Sequence, residues 1–144
     1  KNKRELTRLA TELLCIKEHH PHIPASELYR MVTQNAVQAL KLPQRYSSLN
    51  PEECQNLLLT DLSEKDPFEN LYTLEAATIR LLIVDSIPRF GDSEWMDILG
   101  LKEDKYTLFR TGTREKFVLG DPIDLNDQID YVLGYHKDFP YLPF

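Results

Sequence analysis

The sequence predicts an α+β fold, on three observations. Two stretches near the start carry apolar residues at helical spacing, two short runs in the middle are continuously apolar, and a Thr-Gly-Thr turn joins two strand-like segments further on. A chain of 144 residues, 42% hydrophobic and 28% charged, suits a globular domain with its own core.

The first helix is expected over Glu5 to Lys17, where Leu6, Leu9, Ala10, Leu13 and Leu14 form one stripe. His19, His20 and His22 follow. Imidazole is a common metal ligand, but a proline interrupts the segment and no carboxylate stands at ligand-like spacing, so a polar loop is the expected reading. A second helix is expected from an N-cap at Ser26 to Leu40. Leu28, Met31, Val32, Asn35, Ala36, Ala39 and Leu40 share its face, Asn35 as a buried amide, and Pro43 ends it.

Ser47 to Pro51 reads as a turn, and Leu57, Leu58 and Leu59 as a strand covered on both faces. Asp66, Pro67 and Glu69 supply a cap, a first-turn proline and a capping-box acid for a short helix bearing Phe68, Leu71 and Tyr72. Ile79 to Ile87 is the most strand-like segment, and a turn is expected at Pro88 to Gly91. Asp92 or Ser93 then caps a helix with Trp95, Met96 and Leu99, closed by Gly100.

Tyr106 to Arg110 and Glu115 to Leu119 flank Thr111, Gly112 and Thr113 as a hairpin. Asp124 is the expected cap of a last helix with Leu125, Ile129, Val132 and Leu133. The apolar tail with Phe139, Tyr141, Leu142 and Phe144 is expected to lie on the surface of the fold.

Charge and composition exclude several functions. The net charge of -6, with scattered basic residues, argues against a nucleic-acid surface. Cys15 and Cys54 lack metal-knuckle or disulfide spacing and point to a reducing compartment, so a cytoplasmic location is expected. No run is long enough to span a membrane and the first residues lack a signal-type apolar core. No Gly-rich phosphate loop, G-x-S-x-G or H-E-x-x-H occurs. Glu52 with Glu53 and Asp124 with Asp127 read as solvated turn or cap residues, and His136 beside Tyr135 as a surface residue.

Five phrases occur in order: Ala36, Ala39, Leu40 and Leu42; Ser48, Leu49 and Pro51; Leu57; Asp66 to Leu71; and Val84, Asp85, Pro88, Arg89, Phe90, Gly91 and Asp92. Together they resemble the C-terminal portion of the amidohydrolase superfamily, in its chlorohydrolase-like and deaminase-like branch. The chain departs from that pattern at Glu52 and Glu53, at Gln55 and Asn56, and at Ser86 where the family has glycine. Loss of that glycine implies an altered turn.

The resemblance implies that residues 1–45 are the last helices of a (β/α)8 barrel. Residues 46–120 would be the C-terminal strands of a small β-sandwich with short helices, and 121–144 a C-terminal helix and apolar tail. It further implies metal-assisted hydrolysis of C-N or related bonds of a small molecule, with zinc or another divalent cation in the intact enzyme. The metal ligands and the catalytic residues would all lie ahead of Lys1, so none is assigned within this chain. The implied partners are the N-terminal remainder of the enzyme, its small-molecule substrate and, as an oligomer, a second copy; neither nucleic acid nor membrane is among them.

A second resemblance belongs to a different class. VDSIPRFGDSEWMDIL is similar to the D-S-Y-P-R-F-L-x-S stretch of regulator-of-G-protein-signalling domains, with Leu74 to Leu82 as the preceding helix. That would make the chain an interaction module. A free-standing, non-catalytic domain is the third reading.

Overall fold

The computed structural model describes residues 7–137, with side chains described from Leu9 onward. Five α-helices and a five-stranded antiparallel open sheet are found among them, an α+β arrangement. The expected positions of Leu6 and of the aromatic tail, Phe139, Tyr141, Leu142 and Phe144, lie outside the described residues.

Helix α1 (Thr7–His19) buries Ala10 and Leu13 from its stripe. The long helix expected from Ser26 to Leu40 is two helices, α2 (Ala25–Val32) and α3 (Gln34–Ala39). Thr33 interrupts them at φ -120° and ψ -92°, its hydroxyl donating to the Tyr29 carbonyl at 2.8 Å. Threonine back-bonding of this kind competes with the helical ladder. The break rotates the face, so Asn35 is exposed and not a buried amide. Pro24, not Ser26, holds the N-cap position of α2.

Lys41 adopts φ +53° after α3, with Leu42 N–H donating to the Val37 carbonyl at 2.9 Å and Lys41 N–H to Gln38 at 3.1 Å. These are the two bonds of a Schellman stop.

Asp66 caps a 3-10 turn, Pro67–Thr73, by accepting from Phe68 N–H at 2.9 Å. Glu69 takes no capping-box role; its carboxylate pairs with Lys17 on α1. This turn packs against α1 and α2, with Phe68 on Tyr29 at 5.2 Å between ring centroids and Lys17 over the Tyr72 ring.

The sheet contains β1 (Leu57–Thr60), β2 (Ile79–Val84), β3 (Ile87–Asp92), β4 (Tyr106–Thr111) and β5 (Arg114–Leu119), in the order β1-β2-β3-β5-β4. The turn expected at Pro88–Gly91 is strand β3. The reversal comes earlier, at Asp85 and Ser86, with φ +52° and +62°. Positive φ at both central residues is what a two-residue type I′ hairpin requires.

Ser86 therefore holds the left-handed conformation that glycine adopts without cost. Gln55 O accepts from Ser86 N–H at 2.8 Å and Asn56 Oδ1 from Asp85 N–H at 3.0 Å, which helps hold the strained pair. Ser86→Gly is expected to raise stability by about 1 kcal/mol, read as a higher urea midpoint at unchanged slope.

Residues directly across a sheet share a face, and alternate residues take opposite faces. One face carries the row Leu59, Leu81, Gly91, Phe117 and Leu108. Helix α4 (Glu94–Leu99) covers its centre, so that Leu81, Met96 and Phe117 form the core with Trp95, Leu101 and Tyr106 around them. Gly100 ends α4 at φ +62°, as expected.

The other face carries the row Leu58, Leu82, Phe90, Val118 and Thr107, none of them buried. β1 is an edge strand and not covered on both faces: Leu58 is 42% exposed and Leu59 38%. Helix α5 (Pro122–Leu133) is capped by Asp121, which accepts from Ile123 N–H and Asp124 N–H at 3.1 Å each, and not by Asp124.

Candidate functional site

The densest group of ionisable side chains gathers at one end of the sheet, from positions far apart in sequence. Asp61 follows β1, Arg80 lies on β2, Asp92 ends β3, Glu94 opens α4, and Arg114 and Lys116 lie on β5. The register brings them together, since Asp92 stands directly across from Lys116 in the β3–β5 ladder.

Lys116 is completely buried. Its Nζ donates to Asp92 Oδ1 at 2.6 Å and to the Ile79 carbonyl at 2.7 Å, and lies 5.5 Å from the Phe90 ring centroid. A buried ammonium needs such partners because desolvation otherwise disfavours its charge. Arg80 donates from Nε to Asp92 Oδ2 at 2.7 Å and from a terminal nitrogen to Glu94 at 2.6 Å, with Asp61 3.5 Å away. Arg114 donates to Asp61 at 2.7 Å.

Three cations thus face three carboxylates, and both oxygens of Asp92 and of Asp61 have a cationic neighbour. The cluster is neutral and internally matched. Its geometry is that of a clamp that ties β2, β3 and β5 to the residue after β1, with Lys116 withdrawn from solvent.

The Arg114 hydrogen bond holds the Asp61 carboxyl below its ordinary range, aided by the charges of Arg114, Arg80 and Lys116 and opposed by desolvation. A carboxyl depressed in the folded state contributes stability above its unfolded pKa of about 4 and loses it as pH falls through the folded value. Because the Asp61 side chain is 32% exposed, solvent screens the pair and the effect is modest. Arg114→Gln is expected to flatten the fall in stability below about pH 4, measured by urea titration across that window; an unchanged profile would assign the acid sensitivity elsewhere.

A second cluster is a polar knot and has no reactive group. Asn70, buried within the 3-10 turn, accepts through Oδ1 from Ser63 N–H at 2.7 Å, Ser63 Oγ at 2.9 Å and Glu64 N–H at 3.1 Å. It donates to the Pro67 carbonyl at 3.2 Å, fixing the β1-to-turn connection. Beside it the Tyr72 hydroxyl is buried, and desolvation pushes it upward from its usual value.

The residues weighed from sequence are dispersed. His19, His20 and His22 are exposed; His19 Nδ1 lies 2.8 Å from the Cys15 carbonyl, and the rings of His20 and His22 touch edge to face. Cys15 and Cys54 are free thiols. Glu52 and Glu53 are exposed on their turn, Asp124 accepts from Gln128, and Asp127 is exposed. His136 pairs with Asp130 at 2.5 Å, and Asp130 also accepts from Lys137 N–H. Those two hydrogen bonds lower the Asp130 carboxyl.

Among the described residues no group of three or more His, Cys, Asp or Glu side chains is placed to hold a metal ion, and no helix is long and apolar enough to cross a membrane.

The ion cluster was not legible in the sequence. Lys116 stands between Glu115 and Phe117 in a strand, where a lysine ordinarily reads as solvent-facing. What buries it is a pairing with β3, 24 residues away, for which no local pattern exists.

No family model matches the chain, no curated protein is found to be similar to it, and no solved structure matches it.

Proposed function

We propose that this chain is the non-catalytic C-terminal portion of a metal-dependent amidohydrolase that acts on C-N (non-peptide) or related bonds of a small molecule. In this reading α1 to α3 are the last helices of a (β/α)8 barrel, and the sheet is part of a small β-sandwich. The observation that carries the reading is the second face of the sheet. Leu58, Leu82, Phe90 and Val118 form an apolar row, half-open to solvent, that runs from the edge strand β1 to β5 and ends at Thr107 on β4. This row lies beside the Arg80, Asp92 and Lys116 cluster on the same face. An apolar row left half-open on a sheet is completed by a second layer, and in a sandwich that layer is another sheet.

The phrases that carry the family resemblance lie at structural joints. Asp66 to Leu71 contains the capping aspartate and the Asn70 knot, and Val84 to Asp92 contains the β2–β3 hairpin, the close-packed Gly91 and the clamped Asp92. These roles are architectural, which suits a portion whose task is to complete and hold a scaffold. A divalent cation bound elsewhere in the enzyme would acidify water and polarise the scissile group. This chain's part is packing, the sandwich and, as an oligomer, a contact between copies. The signalling-domain alternative requires a helix through Leu82, where β2 occupies Ile79–Val84.

The test begins with the intact product of the gene, assayed for bound metal and for hydrolysis of cyclic amidines, amides and C-halogen compounds. Activity and metal are expected in the intact product. Hydrolysis by the zinc-loaded 144 residues alone, through residues of their own, would sink the reading. Leu58→Glu serves as the structural arm: it should leave the chain folded by circular dichroism and weaken its association with a separately expressed N-terminal remainder at least tenfold. Equal association of the variant would remove the exposed row from the argument.

A further inference from the structure

We draw no further inference here: the strongest candidate, the exposed apolar side chains Leu125, Tyr131 and Val132 on α5, has no partner among the described residues, and nothing in the structure shows what covers it.

Discussion

Lys116→Ala is expected to lower the unfolding free energy by about 3 kcal/mol, the low end for breaking a buried ion pair. Removing the ammonium strips Asp92 Oδ1 of its cation and leaves the Ile79 carbonyl without its donor in a site that admits no water to Lys116. The loss is not larger because Arg80 Nε still holds Asp92 Oδ2 at 2.7 Å.

Replacing both partners, Lys116→Met with Asp92→Leu, should recover more than half of that loss. A buried pair exchanged for apolar groups of similar size removes the desolvation penalty together with the attraction, and Arg80 keeps Glu94 and Asp61 as neighbours. Urea titrations of Lys116→Met, of Asp92→Leu and of the double variant close a cycle whose coupling term isolates the pair. If Lys116→Ala cost less than about 0.5 kcal/mol, within the ordinary range of a surface substitution, the clamp would not be what holds β3 against β5.

The elements that local chemistry determines were the legible ones. The α1 helix, of whose stripe Ala10 and Leu13 are buried while Leu9 and Leu14 are exposed, the Asp66 cap, the α4 stop at Gly100 and the Gly112 hairpin each depend on residues within a few positions of one another. The misread elements depend on partners farther away. Pro88 and Gly91 look like turn residues, yet β3 forms because the chain reverses at Asp85 and Ser86, whose left-handed conformations carry no glycine to announce them.

Leu57 to Leu59 reads as a strand covered on both faces because three leucines imply burial. Its edge position follows from the strand order, which no local run encodes. The Thr33 break shows the same limit inside a helix: apolar spacing runs through it unchanged, and only the hydroxyl's bond to Tyr29 marks it.

Gly91 separates the turn reading of that phrase from the packed-strand reading most sharply. It sits mid-row between Leu81 and Phe117, and a Cβ added there would lie 2.9 Å from the Arg80 carbonyl oxygen, 3.1 Å from Leu81 Cδ1 and 3.1 Å from Phe117 Cε1. The side-chain contacts are tight, and the carbonyl is a backbone atom of the neighbouring strand that cannot turn away without disturbing the β2–β3 ladder. Gly91→Ala is therefore expected to cost about 3 kcal/mol, the upper part of the range for overpacking.

Gly112 provides the comparison, because its φ is +62° but a Cβ added there would meet nothing within 4 Å. Gly112→Ala meets only backbone strain and should cost about 1 kcal/mol. Urea midpoints of the two variants give the ranking, and amide exchange locates the damage. Gly91→Ala should speed exchange at Leu81 and Phe90 while leaving the β4–β5 tip protected, and Gly112→Ala should do the reverse. The opposite ranking would return Gly91 to the role of a turn residue and remove the close approach of β2, β3 and β5 on which the core at Phe117 is built.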